Sequence, residues 1–159
     1  MSGVPIERSF YTLAFPAQMI VWATRKRLHL RARGADDSNV AHAFHLAGLD
    51  ELYAALMSIV DVLTCGVSRR IQLHGVACPC LDTHEVSLLN ALAYLQRAQK
   101  LRAQACMAKF LGTPAVRLVL PAMHSVVREL DALALQLPLL GEEIDPTKLT
   151  ADRGIHRVH

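Results

Sequence analysis

Residues 114–137 read PAVRLVLPAMHSVVRELDALALQL, and their apolar side chains return every three or four positions. The series is Val116, Leu120, Met123, Val127, Leu130, Ala134 and Leu137. This spacing predicts an α-helix with one side packed against a core. Gly112, Thr113 and Pro114 come just before it and supply a stop, a cap and a first-turn proline. Pro121 lies inside it and should kink it, because proline removes a backbone hydrogen bond.

Three further long helices are predicted before this one. They cover about residues 5–33, 39–66 and 83–111. The first carries Pro16 in its middle, where we expect a second kink, and ends at Gly34. Gly48 offers a break in the second, with a restart at Asp50. Asp82 precedes the third and forms a capping-box pattern with Glu85.

Residues 67–81 interrupt the helical pattern, since Gly75 and Pro79 break any helix, and we expect an irregular loop there. Four long helices with short links predict an all-α fold, an antiparallel up-down four-helix bundle with proline-kinked first and fourth helices. We expect one domain over residues 1–138. Residues 139–159 lack an apolar period and are predicted to form a C-terminal tail.

The composition excludes several classes of protein. Hydrophobic residues make up 52% of the 159 residues and charged residues 19%, which is opposite to a disordered chain. The longest uncharged run, 9–24, is shorter than the roughly 20 residues of a membrane-spanning helix. We therefore expect no membrane contact. The four cysteines do not resemble a secreted disulfide framework, so we expect reduced thiols and a cytoplasmic location.

A cluster of cysteines and histidines surrounds the loop. Its members are His74, Cys78, Cys80 and His84, with Cys65 at the end of the second predicted helix. Thiolate and imidazole are ligands for zinc and other transition metals, so these five residues are a candidate metal site. The one-residue spacing between the two loop cysteines is shorter than structural zinc sites use. The alternatives are small buried apolar residues or, ranked lower, a redox pair.

Basic residues gather in two stretches that the bundle topology brings toward one pole. The candidate patch consists of Arg25, Lys26, Arg27, Arg31, Arg33, Arg97, Lys100 and Arg102. Such a patch could bind phosphates of nucleic acid or an acidic partner. The competing explanation is that helix C-termini collect cations through the helix dipole. No stacking aromatics or nucleic-acid-binding signature accompany the patch, so nucleic acid is a weak alternative.

No nucleophile, zinc-protease or phosphate-loop signature occurs in the sequence, which leans against an enzyme and assigns no catalytic residue. We therefore expect a binding or regulatory module that acts through protein–protein interaction. The first and fourth predicted helices are apolar enough to leave an exposed strip, and this predicts a homodimer. Metal binding by the Cys/His loop and binding of nucleic acid or an acidic partner by the basic pole remain the alternatives.

Overall fold

The computed structural model describes residues 9–65, 75 and 77–141, and these form an all-α bundle, as the sequence predicts. Within these ranges there are six α-helices and no β-strand. The helices are α1 (Phe15–Ala32), α2 (Ser38–Leu46), α3 (Asp50–Cys65), α4 (Thr83–Gln96), α5 (Lys100–Ala108) and α6 (Thr113–Ala132). A short 3₁₀ helix, Phe10–Thr12, precedes α1.

Local sequence signals account for the starts of α4 and α6. The side chain of Asp82 and that of Glu85 satisfy each other's backbone N–H groups at the start of α4, so the predicted capping box is confirmed. Helix α6 starts at Thr113, with Pro114 in its first turn. There the missing N–H of proline costs little, because first-turn N–H groups have no partner within the helix.

The first predicted helix is shorter than expected. Helix α1 begins at Phe15, so Pro16 lies in its first turn and does not kink it. Residues 5–8 of that prediction lie outside the described residues. Pro121 does lie inside α6, as predicted.

Two predicted helices are each divided in two. Gly48, at a φ of 71°, makes the turn between α2 and α3, where the sequence offered a break. The third predicted helix is divided between Gln96 and Lys100, which the sequence did not signal. Ala98 takes a φ of 57° there, a conformation that alanine rarely adopts. The extensive packing of α5 against α4 favours this turn despite its strain.

Helices α3 and α6 form the centre of the bundle and pack against each other. Helices α1 and α2 pack against α3, and α4 and α5 pack against α6. Along the chain, a short helix lies between two longer ones in α1–α3 and again in α4–α6. Buried positions in α3 recur in α6 at the same spacing: Leu52, Leu56, Met57, Val60 and Leu63, then Ala115, Val119, Leu120, Met123 and Val126. The residue types differ, which hides this recurrence in the sequence.

After α6 the chain turns at Ala134 and runs back along α4. Asn90 donates to the carbonyl of Leu140 at 3.1 Å and accepts from its N–H at 2.8 Å. The side chain of Gln96 donates to the carbonyl of Leu135 at 2.9 Å and accepts from the N–H of the buried Leu137 at 2.7 Å. The predicted tail is therefore still attached to α4 at Leu140, and residues 142–159 lie outside the described part.

A cavity of about 20 Å³, the size of about one water molecule, lies between α1, α3 and α4. Side chains thus fill most of the space between these three helices. None of the described helices is long and apolar enough to cross a lipid bilayer.

Candidate functional site

An open groove of about 320 Å³ lies between the start of α1 and helix α2. We call it the aromatic groove; it is lined by Phe10, Phe15, Gln18, Met19, Trp22, Ala43, Phe44, Ala47 and Leu49. Phe15, Met19 and Trp22 lie three and four residues apart, so they form one stripe along α1. Ala43 on α2 and Ala47 directly after it are small and exposed, and they leave the space that the groove occupies.

Aromatic residues are concentrated at this groove. Three of the four phenylalanines and the single tryptophan of the chain line it. Phe15 is 61% exposed, and the neighbouring Tyr11 is 69% exposed. Large aromatic side chains gain most from burial, and they are enriched at the centres of protein interfaces.

Hydrogen bonds hold the 3₁₀ helix in place at one end of the groove. The hydroxyl of Ser9 caps it by accepting from Tyr11 N–H at 3.3 Å. The side-chain amide of Gln18 donates to the carbonyls of Phe10 and Tyr11 at 3.2 and 3.3 Å. The Gln18 amide of the groove lining is therefore already used in positioning the aromatic residues.

The buried residue Arg25 ties α1 to the segment that carries two of the predicted metal ligands. Its guanidinium donates to both carboxylate oxygens of Glu85, at 2.5 and 2.8 Å. It also donates to the carbonyls of Cys78 and Cys80, at 2.7 and 2.6 Å. The hydrogen bond to Glu85 raises the pKa of Arg25 against the opposing effect of burial, so the group stays charged.

The same segment is attached to the groove. Phe10 N–H donates to the carbonyl of Pro79 at 2.6 Å, and Ser9 pairs with Cys80 in an isolated bridge. The guanidinium carbon of Arg25 also lies 5.8 Å from the centre of the Phe10 ring. Arg25 thus contacts both the Phe10 ring and the Cys78–Cys80 segment to which the Phe10 backbone is bonded.

The predicted metal ligands are only partly brought together. Cys78 is half-buried, while Cys80 and Cys65 are exposed. The ring of His84 contacts the Asp82 carboxylate at 2.7 Å and lies edge-on to Phe110. No group of three or more His, Cys, Asp or Glu residues in 9–65, 75 and 77–141 could hold a metal ion.

His74 lies outside the described residues, so the metal site remains a prediction. Elemental analysis of tag-free protein tests it, with the double variant Cys78→Ser, Cys80→Ser as the comparison. Stoichiometric metal that the double variant loses would support the site, and metal content near zero in both proteins would remove it.

The structure divides the predicted basic patch into separate parts. Arg25 is 2% exposed and cannot belong to a surface patch, which corrects that part of the prediction. Arg27 is paired with Asp37, and Arg31 with Asp61. Arg97 donates to the carbonyls of Ala93 and Leu137, while the Arg102 guanidinium lies over the Tyr94 ring. Lys26, Arg33 and Lys100 have no acidic partner in the part of the chain that the structure describes.

Asp37 joins α1, α2 and α3 in a small polar network. It accepts a hydrogen bond from the Tyr53 hydroxyl at 2.5 Å, in addition to its contact with Arg27. The hydrogen bond from Tyr53 lowers the pKa of Asp37. Burial, with this hydrogen bond, raises the pKa of Tyr53 to about 12. This network fixes the loop between α1 and α2 and hence the spacing of the groove walls.

Comparison with protein-family models, with curated proteins and with solved structures finds no match to this chain. The functional interpretation is therefore argued from the residues and their arrangement.

Sequence reasoning missed the aromatic groove. The signal was the cluster Phe10, Tyr11, Phe15 and Trp22 in a chain with only 5% aromatic residues. The contribution of α2 could not be read from sequence, because Ala43 and Phe44 reach the groove only through tertiary packing.

Proposed function

We propose that this protein is a binding module that takes a polypeptide partner in the aromatic groove. The observation that carries the proposal is a groove lined mainly by apolar groups, with Phe15 and the neighbouring Tyr11 exposed and Phe10 and Trp22 half-buried. Leaving such side chains in water forfeits the free energy of burying them, and contiguous apolar surface of this kind marks an interaction site.

A small-molecule site is the competing use of a groove of about 320 Å³. Sites for small molecules place a few polar groups so that they converge on the ligand and fix its orientation. The side chains of the lining offer two polar groups: the Gln18 amide, which already binds the carbonyls of Phe10 and Tyr11, and the Trp22 indole N–H. A polypeptide, which can satisfy its own backbone within a helix, suits this lining better.

The homodimer predicted from the apolar first and fourth helices would place a second copy of the chain in this groove. Solution mass measured over a range of protein concentrations tests the homodimer. A dimer that dissociates when Ala43→Arg fills the groove would support it, and a monomer at all concentrations would contradict it. The cytoplasmic location and the regulatory role belong to the same proposal.

The binding test needs a variant that fills the groove and leaves the core intact. Ala43→Arg meets this need, because Ala43 is exposed and lines the groove. Ala54→Arg is the matched control, since Ala54 is an exposed helical alanine of α3 outside the groove.

Helical peptides selected by display against the wild-type protein provide the partners. We expect them to bind the wild type and Ala54→Arg equally, and Ala43→Arg at least about tenfold more weakly, the size of a moderate hot-spot effect. Peptides that bind Ala43→Arg as well as the wild type would show that the groove is not the binding surface.

A further inference from the structure

We propose that the partner in the aromatic groove is an amphipathic helix of a different protein, with acidic residues next to its apolar anchors. The inference rests on the proposed function and adds the shape and charge of the partner.

The dimensions of the groove favour a helix. Phe15, Met19 and Trp22 span two helical turns of α1, about 10 Å at 1.5 Å per residue. An amphipathic helix presents its own anchors over the same distance, at positions i, i+3 or i+4, and i+7. On the opposite wall, Ala43 and Ala47 lie one turn apart and have small side chains, so a second backbone can approach closely.

The charge of the partner follows from the continuation of the α1 stripe. Beyond Trp22, the positions on the same side of α1 are Lys26, His29 and Arg33. Lys26 is half-buried and the other two are exposed, and none of them has an acidic partner within the described residues. A helix seated on the apolar part would therefore extend over cations, which favours carboxylates at its flanking positions.

Carboxylates close to this end of the groove do not remove that preference. Asp37 is occupied by Arg27 and Tyr53. The Asp36 carboxylate accepts a hydrogen bond from Ser38 N–H at 3.1 Å. In the sequence around Lys26, His29 and Arg33, Asp36 is therefore the exposed carboxylate that remains.

A second copy of this chain fits the charge pattern poorly. Among the described residues, α5 exposes Leu101 and α6 exposes Leu118, while Leu46 of α2 and Leu133 just after α6 are exposed as well. Leu101 lies between Lys100 and Arg102, and Leu118 follows Arg117. Docking through Leu101 or Leu118 would bring a further cation toward Lys26, so the charges favour a different protein over these two surfaces of a second copy.

Two peptides that differ only in charge test the inference. Both are helical peptides of about 20 residues with the same leucine and phenylalanine anchors. The positions one turn beyond the anchors carry glutamate in one peptide and lysine in the other. Fluorescence anisotropy measures their affinities at low and at high salt.

We expect the glutamate peptide to bind about tenfold more tightly at low salt, with the difference shrinking as salt rises. The double variant Lys26→Glu, Arg33→Glu should reverse the preference. Arg33→Glu alone should reduce it, and covers the case in which the half-buried Lys26 does not tolerate substitution. Arg117→Glu makes the same charge change as Arg33→Glu but on α6, and it should leave the preference unchanged.

Equal binding of the two peptides to the wild type would overturn the charge inference and leave the proposed function standing. A glutamate preference that persists in Lys26→Glu, Arg33→Glu would overturn it in the same way. Failure of both peptides to bind would also overturn the charge inference. Binding of the display-selected peptides to the wild type and to Ala43→Arg would then test the proposed function separately. A wild-type dimer that Ala43→Arg dissociates would make the second copy the occupant.

Discussion

Replacing Arg25 with methionine should destabilise the protein far more than replacing any exposed arginine. The methionine retains most of the aliphatic stem but removes the guanidinium. Glu85, 4% exposed, would then keep a buried carboxylate without its counter-charge. The carbonyls of Cys78 and Cys80 would lose their donor as well.

The expected magnitude follows from the burial of this ion pair. Removing one partner of a buried pair costs about 3–5 kcal/mol, because the remaining charge is left uncompensated. Each carbonyl that loses its hydrogen bond adds up to about 1 kcal/mol, without strict additivity. The total is a large fraction of the roughly 5–15 kcal/mol by which a domain is stable.

Urea denaturation followed by far-ultraviolet circular dichroism measures the change in free energy of unfolding. The matched control is Arg31→Met, which breaks the exposed pair with Asp61 and should cost less than about 1 kcal/mol. Glu85→Gln and the double variant Arg25→Met, Glu85→Gln complete a double-mutant cycle. Coupling below about 0.5 kcal/mol, or equal losses for Arg25→Met and Arg31→Met, would refute the reasoning.

Three further predictions concern the Asp37 network, the groove and the core. Because the pKa of Asp37 is lowered in the folded state, its contribution to stability is present above the ordinary value of 3.8 and is lost as pH falls through the lowered value. Acid titration of unfolding between about pH 5 and pH 2 should therefore show a steeper loss for the wild type than for Asp37→Asn; parallel curves would contradict this. Phe15→Ala should change the free energy of unfolding by less than about 0.5 kcal/mol and weaken peptide binding about tenfold, measured on the same samples; a variant that unfolds more easily and still binds normally would place Phe15 in the core instead. Leu56→Ala should cost about 2–5 kcal/mol in urea denaturation, because Leu56 is fully buried between α3 and α6, and a loss below about 1 kcal/mol would argue against this packing.

The fold class was predictable because apolar periodicity alone requires helices that bury one side. Boundaries were predictable where a residue's backbone chemistry marks them, as at Gly48 and in the Asp82 capping box. Pro16 shows the limit, since a proline inside an apolar run fits a kink and a first turn equally well. The turn at Ala98 carried no signal, because tertiary packing of α5 on α4 determines it.

The site was harder to predict than the fold. Arg25 was assigned to a surface patch because its partner, Glu85, lies 60 residues away in the sequence. Pairing over that distance depends on how α1 and α4 meet, which periodicity does not specify. The aromatic cluster of residues 10–22 was visible, but its meaning required Ala43 and Ala47 to leave space beside it.

An NMR titration of ¹⁵N-labelled protein with a display-selected peptide tests most directly whether the aromatic groove binds polypeptide. We predict saturable shifts at the amides of Phe15, Met19 and Ala43 and at the Trp22 indole, with the exposed residues of α6 unchanged. Shifts centred on α5 and α6, with the Trp22 indole unmoved, would contradict the account.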